Sequence, residues 1–303
     1  MAPALRRRNM GKEAIAIIGT GKVGTAIGCL LKSVGYTVTA LADISKTALE
    51  QGNRLTGGRT FTDPVRAAEL ADTIFITTVD DQIRRVCSYL AEEGVLGPGK
   101  RVVHMSGAGG LDLLNPARAA GARVACIHPL QSFADLDGSI RSIPGSTFAV
   151  TAEDEIRDWA LQVVHDLGGV SFFLPDEDKP LYHAAACFAS NYLVSLMNIV
   201  VSLYGTLGLD SKEAVRAVLP LVQGTIDNIA KNGVDGALTG PIVRGDVMTV
   251  RSHLNILAEK APETLPLYRE LGRGALGIAV KNRRISEEKS AELDALLKGD
   301  GLK

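Results

Sequence analysis

Apolar residues run unbroken at Ala14-Ile15-Ala16-Ile17-Ile18 and at Ile74-Phe75-Ile76, and between such runs they recur every three or four positions. Short unbroken runs predict strands covered on both faces, and the three-to-four spacing predicts amphipathic helices between them. Strands are expected at 14–18, 36–43, 59–61, 73–79, 101–105 and 123–128, with two more at 148–150 and 171–174. Helices are expected at 45–55, after Asp63-Pro64, at 80–93 and at 153–167. In the second of these Asp63 is the N-cap and Pro64 the first helical residue. Beyond Pro175 no strand pattern remains, and helices are expected at 178–204, 211–222, 225–232, 246–260, 262–280 and 286–297. The chain therefore reads as an α/β domain with a doubly wound, mostly parallel sheet at 13–176 and an all-α domain at 177–303. Residues 1–12 read as a disordered leader, with Met10 an alternative start.

The first strand runs straight into Gly19-Thr20-Gly21-Lys22-Val23-Gly24, and a helical pattern (Ala26, Ile27, Leu30, Leu31) leads away. In a strand-turn-helix, Gly19 lets the chain reverse, Gly21 lets a pyrophosphate approach the backbone, and Gly24 lets helix and strand pack closely. The free N–H groups of the helix start favour an anion there. Asp43 ends the next strand, about 20 residues on, where a carboxylate accepts from a ribose hydroxyl. The domain is thus of the Rossmann type, with NAD or NADP as cofactor and Thr20, Lys22 and Val23 in the binding turn. Asp43 would repel a 2′-phosphate and favours NAD, while Lys46 is the residue that would overturn that preference. Parallel strands with right-handed crossovers put their C-terminal ends on one edge. That edge collects the glycine turn, Asp43, Thr78 and Val79, Ser106 and Gly107, and His128.

Composition narrows the partners. Lysine and arginine number 33 against 34 acids, a balance that disfavours nucleic acid or a membrane surface and leaves small molecules. The four cysteines form no Cys-x-x-Cys pair and read as buried thiols in a reducing, cytoplasmic compartment. The N-terminus lacks the apolar run of a secretory signal. The most apolar segment, 184–207, carries Ser190, Asn191, Ser195, Asn198 and Ser202 and reads as a buried helix rather than a membrane span.

Lys179, His183 and Ser190 fall within about 40° on one helical face, with Asn191 at its edge. Two readings fit that stripe: a proton donor for reduction of a carbonyl, or a solvated lysine beside a packed histidine. His128 stands at a strand end beside the expected cofactor, suited to polarising a substrate oxygen, whereas His104 lies inside a strand and reads as core. Further on, Arg244 suits a carboxylate, Asp246 reads as the cap of the next helix, and Thr249 and His253 share its face. The five histidines show no close ligand pair; His128, His183 and His253 would need to converge to hold a metal, and none is expected.

Four motifs in order resemble a family of NAD(P)-dependent oxidoreductases that joins a Rossmann-like domain to a helical C-terminal domain of unknown function. They are the glycine turn, His128-Pro129-Leu130-Gln131-Ser132-Phe133, Lys179 with Tyr182-His183-Ala184-Ala185-Ala186 and Ser190-Asn191-Tyr192, and Leu238-Thr239-Gly240-Pro241 with Arg244-Gly245-Asp246, Thr249-Val250 and His253-Leu254. More distantly the chain is similar to the 6-phosphogluconate dehydrogenase-like superfamily, which includes prephenate dehydrogenases, pyrroline-5-carboxylate reductases and ketopantoate reductases. The resemblance implies a small keto or hydroxy acid as substrate, ketopantoate among the candidates. It implies His128 as the counterpart of the prephenate dehydrogenase histidine and Lys179 as that of the ketopantoate reductase lysine. It also implies a cleft between the domains and a homodimer through the C-terminal one. A nucleotide sensor without turnover and a deazaflavin-linked NADP reductase are the competing readings.

Overall fold

A computed structural model describes residues 13–299; the expected leader and Met10 lie outside the described residues. Eight strands, β1 (Ala14–Ile18), β2 (Thr37–Ala42), β3 (Arg59–Phe61), β4 (Thr73–Ile76), β5 (Arg101–His104), β6 (Arg123–Pro129), β7 (Thr147–Ala152) and β8 (Val170–Phe173), form one sheet in the order β3-β2-β1-β4-β5-β6-β7-β8. All pairs are parallel except β6 with β7, which is antiparallel. Around the sheet run α1 (Lys22–Ser33), α2 (Lys46–Thr56), α3 (Pro64–Ala68), α4 (Asp80–Glu92), α5 (Asn115–Ala119), α6 (Leu136–Ser142), α7 (Arg157–Asp166) and α8 (Lys179–Ala189). The hydrophobic pattern does not foretell α5 and α6, whose 5 and 7 residues are too few to show a period.

Alternation along each strand divides the core into two layers, as a sheet covered on both faces requires. Ile15, Ile17, Phe75, Val103, Ile127 and Phe148 pack with Ile27 and Leu31 of α1 and Val163 of α7. Their neighbours Ala16, Ile18, Ile74, Ile76, Val102 and Cys126 face the other way, onto Val65 of α3 and Ile83, Cys87 and Leu90 of α4. Asp63 caps α3 as expected, its side chain accepting from the Val65 N–H at 3.0 Å.

The chain divides into two compact units that meet at Ser190 and Asn191. The expected boundary near Asp176 falls one helix earlier; α8 goes with the sheet because its Lys179 side chain is buried there. The second unit holds α9 (Asn191–Thr206), α10 (Ser211–Ala237), α11 (Val247–Lys260), α12 (Leu265–Lys281) and α13 (Glu287–Lys298). Its core is small: Val247, Val250 and Leu254 of α11 with Leu276 of α12 and Leu293, Leu296 and Leu297 of α13. Asp246 caps α11 and Ser286 caps α13. Asp210 forms a capping box with Glu213 at the start of α10.

Three expectations need correction here. The helix expected over 178–204 is two helices, because Ser190 leaves helical geometry at φ −120°, ψ −71°. The apolar segment 184–207 is also not buried: no residue of α9 is buried, and Val194 is 69% exposed, because none of the described residues covers that side. Asp176–Thr206 is long and apolar enough to cross a membrane by length and composition alone. Its break at Ser190 and the packing of Lys179 against the sheet unit explain it as two protein helices. The helices expected at 211–222 and 225–232 are one, running through Pro220 until Gly233 takes φ 69°.

Phe148 is fully buried in the layer under α7. Phe148→Ala should cost about 3–5 kcal/mol, read as a lower urea midpoint in the fluorescence of Trp159, the single tryptophan. An unchanged midpoint would contradict this packing.

Candidate functional site

The strand order turns back on itself between β1 and β4, and crevices outside the strand C-termini at such a reversal are where α/β sheets hold ligands. Each glycine of the turn there has a visible reason. Gly19 takes φ +96°, and a Cβ on it would lie 2.7 Å from the Thr78 backbone nitrogen. A Cβ on Gly24 would lie 2.1 Å from the Gly19 carbonyl oxygen. A Cβ on Gly21 would meet nothing within 4 Å, so the protein's own packing does not require glycine there. That is the pattern expected where a ligand, not a side chain, needs the room. The first turn of α1 has neither a side-chain cap nor an acidic residue, unlike α2 and α3, which Ser45 and Asp63 cap. The first N–H groups of α1, from Lys22 onward, are therefore available to an anion.

Beside the turn lies a cleft of about 330 Å³, lined among others by Gly19, Gly21, Asp43, Ile44, Thr78 and Val79. The Thr78 hydroxyl is buried with no partner among the described residues. Asp43 is engaged by the protein itself: Oδ2 accepts from the Thr20 N–H at 2.7 Å and its hydroxyl at 3.2 Å, and Oδ1 accepts from the Ser45 N–H at 2.8 Å. The carboxylate thus ties the glycine turn to the end of β2. An open Gly21, an uncapped helix start, an orphaned hydroxyl and a carboxylate at the rim together fit a dinucleotide.

Along the same edge, past β5, the Ser106 turn organises a second group of side chains. The Ser106 hydroxyl donates to Asp80 Oδ2 at 2.7 Å and accepts from the Gly109 N–H at 2.8 Å. Its carbonyl accepts from Lys179 Nζ at 3.4 Å and from the Cys126 thiol at 3.3 Å. Lys179 Nζ also lies 3.1 Å from Cys126 Sγ, and the lysine is 1% exposed. Among the described residues no carboxylate pairs with it. One and two residues past the first turn of α8, Tyr182 and His183 reach His128: Tyr182 Oη lies 2.7 Å from His128 Nδ1, and the two imidazole centroids are 6.4 Å apart. Gly107 fits between the histidines, since a Cβ on it would lie 2.6 Å from His183 Nδ1 and 2.8 Å from His128 Nε2. His183 Nδ1 is buried without a partner among the described residues.

Burial, then the Lys179 charge and His183, hold the His128 imidazole down to about 4. His104 is driven down to about 3, first by burial and then by Lys179; it sits in the core as expected, bonded to the Gly110 carbonyl at 3.1 Å and the Ser106 N–H at 3.2 Å. Burial pushes the Cys126 thiol up, with Lys179 opposing.

Other expected positions lie apart. Ser190 is at the helix break and Asn191 begins α9, both exposed, so the stripe expected on one helix ends before Ser190. Arg244, Thr249 and His253 belong to the second unit. There Arg244 is exposed, the Thr249 hydroxyl donates to Asp246 Oδ2 at 2.7 Å, and His253 Nδ1 lies 2.9 Å from Tyr268 Oη. Sequence reasoning gave no role to Tyr182 or Cys126. Spacing carried a signal for each: Tyr182 is i+3 from Lys179 on a helix, and Cys126 is i−2 from His128 on a strand.

A Rossmann-like domain model matches residues 6–129, and a model for a domain of unknown function, DUF2520, matches residues 146–275. The chain joins a Rossmann-like domain to a DUF2520 domain. The DUF2520 stretch takes in β8 and α8, so the Lys179–His128 cluster draws on both domains as the family models divide them. No curated protein sequence matches the chain. Among solved structures, a Thermotoga maritima protein is 25% identical over 89% of this chain and 99% of its own, with a TM-score of 0.70. A Bacteroides fragilis protein assigned as an NADP oxidoreductase is 19% identical over 88% and 98%, with a TM-score of 0.69. A Plasmodium falciparum pyrroline carboxylate reductase with NADP bound is 13% identical over 95% and 99%, with a TM-score of 0.59. The last two likenesses speak for the fold alone.

The two lowered histidines give this Rossmann-like–DUF2520 chain a pH signature. Both folded values lie below the ordinary 6.5, so between pH 6.5 and about 4 the unfolded chain binds protons that the folded chain refuses. Stability therefore falls as pH drops from 6.5, by up to about 1.4 kcal/mol per pH unit for each group. Urea midpoints at pH 7, 6 and 5 should decline in that order; a flat series would contradict the burial of these imidazoles.

Proposed function

We propose that this chain is an NAD(P)-dependent oxidoreductase acting on a small keto or hydroxy acid. The observation that carries the reading is one sheet edge bearing both the cleft beside the open Gly21 and the histidine pair over the Gly107 turn. The N–H groups from Lys22 to Gly24 hold the pyrophosphate, Asp43 accepts from a ribose hydroxyl through lone pairs its backbone contacts leave free, and Thr78 and Val79 line the path. The cofactor, when bound, supplies or removes the hydride. Asp43 is the ground for placing NAD ahead of NADP, although the Plasmodium structure holds NADP. The solved oxidoreductases of this fold support the class of reaction.

His128 is the group assigned to the substrate's reacting oxygen, because its Nε2 faces the Gly107 turn. Lys179 is enclosed by Ser106 and Cys126 and serves as a fixed positive charge behind that turn. His183 faces the same turn from α8. Ser190 and Asn191 are assigned as further substrate contacts, and exposed Arg244 as the carboxylate ligand. Thr249 and His253 support Arg244's neighbourhood through Asp246 and Tyr268. Ketopantoate is the first substrate to try.

Calorimetry should show NADH binding about tenfold or more tighter than NADPH, followed by NADH oxidation with a 2-keto acid. His128→Asn should lower kcat about 100-fold or more with NADH affinity unchanged. Failure to bind either nucleotide would sink the proposal, and binding without turnover on any keto acid or imine would favour a sensor.

The second unit supports a homodimer. Val215, Leu219, Val222, Ile226 and Ile229 fall within about 80° on α10, and Leu219 is 55% exposed. A concavity of about 860 Å³ runs along this side past Ser211, Val215 and Leu219. An apolar stripe of that length calls for a covering surface, and the same stripe on a second copy supplies one. Sedimentation should show a dimer that Leu219→Glu dissociates; a monomeric wild type would refute this interface.

A further inference from the structure

A neutral histidine has two tautomers, and only one of them presents an N–H of His128 to the Gly107 turn. The choice is made on the far side of the ring, where Tyr182 Oη lies 2.7 Å from Nδ1. Tyr182 is held there by edge-on contacts with His128 at 5.5 Å and Phe172 at 5.9 Å between ring centroids. Burial pushes the Tyr182 phenol up to about 12 and holds His128 down to about 4, so near neutral pH the phenol keeps its proton and the imidazole gains none. A phenol is the stronger donor of the two groups, and a neutral imidazole nitrogen the stronger acceptor. The shared proton then belongs to Tyr182, Nδ1 accepts, and the one ring proton sits on Nε2, the nitrogen 2.8 Å from where a Gly107 side chain would begin.

We propose that Tyr182 is a positioning residue that holds His128 in the Nε2–H tautomer, making the site selective for a substrate whose reacting atom accepts a hydrogen bond, a ketone oxygen, over an iminium nitrogen that can only donate. The selectivity half rests on the oxidoreductase reading; the tautomer half rests on this geometry alone. The proton count closes without a charged histidine. As the carbonyl carbon takes the hydride, its oxygen takes the Nε2 proton and Nδ1 takes the phenol's proton; the site resets when Nε2 takes a proton from solvent and Nδ1 returns its own to the Tyr182 phenolate. Loss of Tyr182's hydroxyl removes both the tautomer preference and the resupply.

The test is nitrogen-15 NMR of the full-length protein with labelled histidine, with His128→Asn to assign the signal, in wild type and Tyr182→Phe. In wild type at pH 7, His128 should show a protonated Nε2 and an unprotonated Nδ1. In Tyr182→Phe both resonances should move toward a tautomer average, and kcat on a 2-keto acid should fall about 10- to 100-fold with KM and NADH affinity within about twofold. Wild-type His128 protonated on Nδ1 overturns the proposal, and that spectrum decides it even if Tyr182→Phe does not fold. A Tyr182→Phe protein with unchanged tautomer and kcat, or a wild type that prefers a cyclic imine to a keto acid at a pH where that imine is protonated, also overturns it. Absence of turnover on every substrate would instead count against the oxidoreductase reading and leave the NMR result to judge the tautomer.

Discussion

The burial of a single ammonium, on Lys179, is the constraint on which the sheet unit's far edge depends. Removing such a charge from water costs on the order of several kcal/mol unless polar groups replace the water. Here the replacements are the Ser106 carbonyl and the Cys126 sulfur, at the ends of β5 and in β6. To hold the ammonium against them, α8 has to lie across the strand ends. That same placement brings Tyr182 and His183, one turn further along, onto His128. The charge also acts on its surroundings, adding to burial in keeping both His104 and His128 neutral.

The other half of the edge obeys a steric rule instead of an electrostatic one. Gly19 and Gly24 bring the turn, the end of β4 and the start of α1 closer than any side chain would permit, and the Thr77 hydroxyl locks the arrangement by donating to the Gly19 carbonyl at 2.7 Å. Asp43 adds a second lock from β2 through Thr20. Such a turn is rigid before any ligand arrives, which lowers the entropic cost of ordering it on binding. Gly21, alone in the turn, is left without a neighbour, and the rigidity around it keeps that space open.

The second unit follows different economics. Its largest buried cluster lies in α11, α12 and α13, while α9 and most of α10, Ala214 and Val218 apart, keep apolar side chains at the surface. A chain that folded only to satisfy itself would not place Val194 or Leu219 in water. The exposed apolar faces of these helices call for a covering surface, which is the demand the proposed homodimer answers.

By itself the sequence determined whatever depends on neighbours in the chain. Strand runs, helix periods, the Asp63 and Asp246 caps and the glycine turn follow from local sterics and hydrogen bonding, so they were legible without coordinates. The alignment of strand C-termini on one edge was also legible, because right-handed crossovers leave little choice. What only the tertiary structure decided depends on residues far apart in the chain. Asp43 looks in sequence like a free ribose ligand, yet its oxygens already hold Thr20 and Ser45. Lys179 looks like a solvated or catalytic helix-start lysine, yet it is sealed 53 residues away from Cys126 and 73 from Ser106. Tyr182 shared a helical face with Lys179 in the sequence, yet its partner was fixed only when β6 placed an imidazole nitrogen 2.7 Å from its hydroxyl. Local propensity is additive along the chain, whereas burial and tautomer are set by what another segment brings, and that is settled only when the segments meet.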